Sequence, residues 1–249
     1  MQVTFALVLT VVSLLAFGNA EAGDRERFTV ATAGGNVLVE GSTDSASPSR
    51  PAVIILSGSK GFASPAYDDF GRSLDAAGLD AYFVHLLSPV DEQAIAHAGS
   101  ARARIAYYAT RRPAWIATVH KVISHLNSEP DHIRRIGVLG ISLGAQTAAA
   151  ASAGATDIGA LVLVDGAFPE GYSKPVSSLP PLLIVWGGAD RTFPISTAQT
   201  LRQMAQGLDG SVSLDVHKGG AHDFFLKPGA QATAAQRGVI DFFVSQLSK

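Results

Sequence analysis

The feature that most constrains this chain is a series of short apolar runs separated by segments of helical pattern. The runs AVIIL at 52–56, LVLV at 161–164 and LLIVW at 182–186 are apolar at every position. Such runs predict strands that are buried on both faces, as in parallel sheets covered by helices on each side. The sequence therefore predicts an α/β fold with a mostly parallel sheet of about eight strands flanked by helices.

The remaining segments complete this plan. We find no internal repeat and no second linker, which favours a single domain. The segment 88–112 is less regular and predicts a short surface helix, and Pro113 suits the first turn of a new helix that runs to about Leu126. The other predicted helices are Asp68–Ala77, which ends at Gly78, Leu143–Ala153, Ser196–Gln206 and Ala232–Leu247. The predicted strands are Phe28–Ala33, Val37–Gly41, Ala52–Leu56, Ala81–Val84, Ile136–Leu139, Leu161–Val164, Leu182–Trp186 and Val212–His217.

The N-terminal segment has the pattern of a secretory signal. Val3–Phe17 is almost wholly apolar, which matches the hydrophobic region of a signal peptide and is short for a membrane span. Ala20-Glu21-Ala22 then supplies an A-x-A cleavage pattern. The preceding residues lack Lys and Arg, so an uncleaved anchor is the alternative. We predict a signal peptide at 1–22, a secreted or periplasmic location, and a mature domain at 23–249 without a membrane span.

Composition excludes several classes of function. A formal net charge of −2 provides no basic surface for nucleic acid. Because the chain has no cysteine, disulfides, thiolate metal sites and a cysteine nucleophile are all excluded. The oligomeric state is left open by the sequence.

The segment Gly140-Ile-Ser142-Leu143-Gly144 lies directly after a predicted buried strand and before a predicted helix of small residues. This is the setting of a nucleophile elbow, a strained turn that exposes a hydroxyl above the edge of the sheet. Glycines on either side of the serine avoid clashes as the helix packs back onto the sheet. The sequence predicts Ser142 as a nucleophile, with the backbone N–H of Leu143 as a donor to a developing oxyanion.

A serine hydroxyl needs a base, and the base needs a carboxylate that fixes its tautomer. Of seven histidines, His222 alone combines a loop after a strand, a late position and preceding glycines. Asp190 follows a buried strand, although a helix-capping acid in an ordinary turn would have the same pattern. Asp165 also follows a strand and is the alternative acid. The chain order Ser142, Asp190, His222 is the order of triads on this kind of sheet.

A second oxyanion donor is expected in the turn after the first buried strand, Leu56-Ser-Gly-Ser59-Lys-Gly-Phe62. Its glycines let backbone N–H groups face a ligand, and we predict the N–H of Ser59. A phosphate-binding loop is excluded, because the glycine spacing is wrong and Gly-Lys-Ser/Thr is missing.

Three segments carry a resemblance to a known family: GVLGISLG around Ser142, WGGAD followed by Pro194, and GGAHDFF around His222. From about residue 52 to its C-terminus, the chain resembles the α/β-hydrolase superfamily and, within it, the dienelactone hydrolase family. The resemblance implies the α/β-hydrolase fold and hydrolysis of a carboxylic ester or related acyl bond, without cofactor or metal. Many members have cysteine at the elbow, whereas serine here points to general esterase-like chemistry.

A small-molecule ester is the expected substrate. The alternatives are a non-catalytic binding protein with this fold, and a peptidase or acyltransferase that uses the same triad. The family's substrate-binding arginines cannot be mapped by motif onto this chain. A solvated surface is the favoured interpretation of a group of arginines before Pro113, and a site for an acidic substrate is the alternative. These arginines are Arg102, Arg104, Arg111 and Arg112.

Overall fold

The computed structural model describes residues 25–41, 50–128 and 135–248. The described strands are β1 (Glu26–Thr32), β2 (Gly35–Gly41), β3 (Ala52–Leu56), β4 (Asp80–Val84), β5 (Ile136–Ile141), β6 (Ala160–Val164), β7 (Leu182–Gly187) and β8 (Val212–His217). They form one sheet in the order β1-β2-β4-β3-β5-β6-β7-β8. The β1–β2 hairpin and the β2–β4 pair are antiparallel, and every later pair is parallel. The predicted fold class is therefore confirmed.

Within the described residues, six α-helices cover the two faces of the sheet. Side chains of α1 and α6 pack on one face, and side chains of α3, α4 and α5 pack on the other. The inner strands β3, β5, β6 and β7 have helices on both sides, so nearly all of their residues are buried. The helices are α1 (Ala66–Ala76), α2 (Pro89–His97), α3 (Ala101–Asn127), α4 (Leu143–Ser152), α5 (Ile195–Gln206) and α6 (Ala230–Leu247).

The prediction for the region around Pro113 is wrong. One continuous helix, α3, runs through this proline, and a separate helix, α2, precedes it. The helix α3 begins earlier than predicted because the Ser100 hydroxyl caps it by accepting the N–H of Ala103 at 3.1 Å. Pro113 removes one backbone hydrogen bond, which the buried half of the helix from Trp115 to Leu126 offsets by packing against the sheet.

The predicted signal peptide at 1–22 lies outside the described residues. Among the residues that are described, no helix is long and apolar enough to cross a membrane.

The topology concentrates polar side chains at one edge of the sheet. The parallel strands share a direction, so the turns that follow β3, β5, β6, β7 and β8 lie at the same edge. These turns contain Ser59, Ser142, Asp165, Asp190 and His222 in that order. The candidate site is built at this edge.

Candidate active site

Ser142 lies in a strained turn between β5 and α4. Its backbone has φ 55° and ψ −110°, a conformation with positive φ that L-residues rarely adopt. The turn is held by a hydrogen bond from the Ser142 N–H to the carbonyl of Val164, at 2.9 Å. Only glycine fits on either side. A Cβ at Gly140 would lie 2.4 Å from the carbonyl oxygen of Gly144, and a Cβ at Gly144 would lie 2.2 Å from that of Leu56.

The structure brings Ser142, His222 and Asp190 into one hydrogen-bonded chain. The Ser142 Oγ lies 2.8 Å from Nε2 of His222, and Nδ1 of the same ring lies 2.7 Å from Oδ2 of Asp190. The Asp190 side chain is 0% exposed and that of His222 is 24% exposed. With these partners, the neutral imidazole carries its proton on Nδ1 and presents Nε2 as an acceptor to the serine hydroxyl.

The turn that carries Asp190 is fixed on both sides. Oδ1 of Asp190 accepts the backbone N–H groups of Thr192, at 2.6 Å, and Phe193, at 3.0 Å. The N–H of Ala189 donates to the carbonyl of Gly220 at 2.8 Å, which ties this turn to the loop that carries His222. Both partners in the imidazole–carboxylate contact are thus positioned by backbone hydrogen bonds.

The two predicted oxyanion donors belong to residues beside the serine. Ser59 and Leu143 line the same cavity as Ser142 and His222. Leu143 is the first residue of α4, where a backbone N–H has no intrahelical partner. On the other side, the neighbouring N–H of Gly58 donates to the Tyr67 hydroxyl at 3.4 Å.

Tyr67 holds the loop after β3 beside the site, and no sequence pattern identified it. Its side chain is buried at the start of α1, and burial raises the pKa of its hydroxyl to about 12, against an opposing hydrogen bond from Gly58. The hydroxyl therefore stays neutral across the physiological range and acts as a fixed acceptor for the loop after β3.

A cavity of about 580 Å³ opens above the Ser142 hydroxyl. Its lining is mixed, with aromatic, aliphatic and charged side chains. Gln146 is one turn along α4 from Ser142, a spacing that places both residues on the same helix face. The lining residues are Ser59, Ala101, Arg104, Ile105, Tyr108, Arg112, Ser142, Leu143, Gln146, Phe168, Glu170, Thr192, Phe193, Thr197 and His222.

The four arginines before Pro113 have different surroundings. Arg104 and Arg112 are half-buried and line the cavity, so a site for an acidic substrate stays a prediction for these two. Burial lowers the pKa of Arg112 from its ordinary value. Arg102 is exposed. Arg111 instead binds the buried carboxylate of Asp91, with 2.6 Å between Nε and Oδ1.

Asp91 joins α2 to α3. Its carboxylate accepts hydrogen bonds from the Tyr107 hydroxyl at 2.6 Å and from Arg111, and it caps α2 through the backbone and hydroxyl of Ser88. Burial alone would raise the pKa of Asp91, but these hydrogen bonds outweigh it and lower the pKa to about 2. The first half of α3, which lines the cavity, is thereby fixed to α2.

Asp165, the alternative acid, makes a different contact. Its Oδ1 accepts the backbone N–H of Gly187 at 2.7 Å, whereas Nδ1–H of the His222 ring donates to Asp190. One possible metal-ligand atom from each of Asp165, Asp190 and His222 lies within 4.8 Å of the other two, a spacing that a cation could bridge. The oxygens of Asp190 and both ring nitrogens already have hydrogen-bond partners, so the arrangement fits a hydrogen-bonded chain better than a metal site.

A mostly parallel sheet with a strained serine between a buried strand and a helix defines an α/β-hydrolase. The sequence matches the dienelactone hydrolase family over residues 40–245. The chain belongs to this family and is a carboxylic ester hydrolase.

Solved structures support the fold. A cold-adapted esterase from an Arctic intertidal metagenomic library is 16% identical, with a TM-score of 0.69 over 89% of this chain and 93% of that one. A putative dienelactone hydrolase from Klebsiella pneumoniae is 15% identical, with a TM-score of 0.70 over 90% of this chain and 98% of that one. A dienelactone hydrolase from Anabaena variabilis is 20% identical, with a TM-score of 0.69 over 90% of this chain and 99% of that one. At these identities the likeness concerns the fold alone. No curated protein matches the sequence.

Proposed function

We propose that the chain hydrolyses small carboxylic esters through an acyl-enzyme intermediate on Ser142. The observation that carries the proposal is the continuous hydrogen-bonded chain from the Ser142 hydroxyl through His222 to the buried carboxylate of Asp190, with distances of 2.8 Å and 2.7 Å. Because the serine opens into a cavity of about 580 Å³, a small ester has room beside the nucleophile.

In the acylation step, Oγ of Ser142 attacks the ester carbonyl carbon while Nε2 of His222 takes the hydroxyl proton. The tetrahedral intermediate then collapses, and the imidazolium gives this proton to the departing alkoxide. In deacylation a water molecule attacks the acyl group with His222 again as base, and Ser142 recovers its proton. Asp190 holds the ring in the productive tautomer and stabilises its charge in both steps.

The oxyanion of each intermediate is assigned to the backbone N–H groups of Leu143 and Ser59. Each donor of this kind lowers the barrier by on the order of 3 kcal/mol when its direction is fixed. Two contacts support a fixed geometry here: the helical position of Leu143, and the hydrogen bond from Gly58 to Tyr67 next to Ser59.

Hydrolysis of short p-nitrophenyl esters tests the proposal. We expect Ser142→Ala and Asp190→Asn to lower kcat by at least roughly 10³-fold. The first substitution removes the nucleophile, and the second no longer holds the His222 ring in the tautomer whose Nε2 accepts the serine proton. Ser245→Ala, at an exposed position on α6, is the matched control and should retain the wild-type rate. A fluorophosphonate probe should label wild-type protein at Ser142 and leave Ser142→Ala unlabelled. Wild-type activity in Ser142→Ala would refute the assignment.

The residues 1–22 are proposed to direct export, as a cleaved signal. Support comes from the apolar run Val3–Phe17 and the A-x-A pattern at Ala20–Ala22. N-terminal sequencing of protein recovered from the periplasm or medium should give a chain that starts near residue 23. Recovery of the intact chain in the membrane fraction would favour an uncleaved anchor instead.

A further inference from the structure

Asp165 is a buried carboxyl group beside the proposed triad that the mechanism above leaves without a role. It lies at the end of β6, one strand from Ser142 and one strand from Asp190. Its backbone has φ 47°, a strained conformation that points to a constraint at this position. Its exposure is 0%. A strained and fully buried acid beside a reactive site needs a physical explanation.

The two carboxylate oxygens of Asp165 have different surroundings. Oδ1 accepts the N–H of Gly187, the last residue of β7, at 2.7 Å, and so holds the start of the turn that carries Asp190. Oδ2 is buried and has no hydrogen-bond partner among the residues that the structure describes. An ionised carboxylate with one buried oxygen unpaired is costly, whereas the neutral, protonated carboxyl group costs less to bury.

The neighbours of Asp165 also disfavour a negative charge. The carboxylate of Asp190 and the His222 ring have atoms within 4.8 Å of it, and Asp223 contributes further repulsion while pairing with Lys227. Burial, followed by the charges of Asp190 and Asp223, raises the pKa of Asp165 to about 8, against the opposing hydrogen bond from Gly187. Of the two carboxyl groups, Asp190 has the hydrogen bonds that stabilise a charge.

We propose that Asp165 is a positioning residue that stays uncharged in the working enzyme, so that His222 faces one negative charge rather than two. A second carboxylate at this distance would stabilise the imidazolium and keep the base protonated. In its neutral form Asp165 positions Gly187, and through it the Asp190 turn, while Nε2 of His222 remains free to take the serine proton.

This inference rests on the proposed function, because it concerns the same triad. Asp165→Asn is the sharpest test, since the amide keeps an acceptor for the Gly187 N–H and is neutral at every pH. We expect kcat/KM at pH 7 to stay within about 3-fold of wild type. The acid limb of the pH profile should lie at the same pH in both proteins, because a neutral Asp165 adds no charge beside His222 there.

Asp165→Ala removes the acceptor as well and should lower kcat more than Asp165→Asn does, by about 10-fold, because a buried N–H is left unpaired. Asp241→Asn, on an exposed position of α6, is the matched control and should leave the pH profile unchanged.

Two results would overturn the proposal. One is an acid limb that moves to lower pH in Asp165→Asn, since this would mean that Asp165 is charged at neutral pH and stabilises the imidazolium. The other is a Tm that changes with pH in the same way in wild type and in Asp165→Asn. Fluorophosphonate labelling of wild-type Ser142 separates these results from a failure of the triad itself, which would abolish labelling.

Thermal unfolding gives a readout that does not depend on activity. The unfolded chain loses the Asp165 proton near pH 4, whereas the folded chain keeps it to about pH 8. Folding therefore takes up a proton between these values, and the contribution of Asp165 lowers the Tm as the pH rises through this window. The Tm of wild type should fall more between pH 5 and pH 8 than that of Asp165→Asn. Parallel Tm curves would contradict the neutral form of Asp165.

Discussion

Gly144→Ala should damage the active site through the backbone alone. The added Cβ would lie 2.2 Å from the carbonyl oxygen of Leu56 and 2.6 Å from that of Ser57, whereas Cβ atoms essentially never come closer than 3.0 Å to another heavy atom. Leu56 is paired on both sides, with β4 and β5, so β3 has little freedom to move. Helix α4 must therefore move away by about 0.8 Å, together with Ser142 and the N–H of Leu143.

The size of the effect follows from this displacement. A misplacement of about 1 Å at a reacting group costs on the order of 10² in rate, so kcat/KM for a p-nitrophenyl ester should fall about 100-fold. Overpacking of this kind lowers the free energy of unfolding by about 1–3 kcal/mol, and a loss near 2 kcal/mol lowers the Tm by roughly 4–8 °C.

A second glycine provides the control. Gly238 lies in the interior of α6, and a Cβ there meets no atom within 4 Å. Gly238→Ala should therefore raise the free energy of unfolding by about 0.5–1 kcal/mol and leave kcat/KM unchanged. The reasoning is refuted if Gly144→Ala unfolds at the wild-type temperature and hydrolyses the ester within 2-fold of the wild-type rate.

Two further predictions concern the charged groups around the cavity. The folded pKa of Asp91, about 2, is below its unfolded value, so its stabilisation is full above about pH 4 and is lost as the pH falls through 2. In urea titrations between pH 5 and pH 2, wild type should lose about 2 kcal/mol more than Asp91→Asn, and equal losses would contradict this. Arg112→Met should lower kcat/KM about 10-fold for an ester with a carboxylate in its acyl chain and leave a neutral ester of equal length unaffected, while equal effects on both would exclude a direct contact.

The fold could be predicted from the sequence because its strands are apolar on both faces. Runs such as Ala52–Leu56 are buried at every position, and the first four residues of the edge strand Val212–His217 alternate in burial as their sequence does. The helix around Pro113 could not be predicted in the same way. A proline in a helix usually marks a boundary, but here the cap at Ser100 and the packing after Trp115 determine the helix ends.

The positions of Ser142, Asp190 and His222 followed from local patterns, since each lies in the turn or loop after a predicted strand. The residues that line the cavity could not be predicted from local patterns. Arg112, Phe168 and Thr197 come from three separate segments that only the tertiary fold brings together. Likewise, the surroundings that raise the pKa of Asp165 depend on the neighbouring strand and not on the sequence around it.

The division of α3 at Pro113 has a consequence for how this enzyme can diversify. The turns before the proline supply Ala101, Arg104, Ile105 and Tyr108 to the cavity, and the turns after it supply Trp115 and its neighbours to the core. Substitutions in the first half alter what the cavity accepts, while the second half keeps the protein folded. A library restricted to the cavity-lining positions of its first three turns, with Tyr107 and Arg111 kept because they bind Asp91, can therefore explore new substrates at little risk to folding.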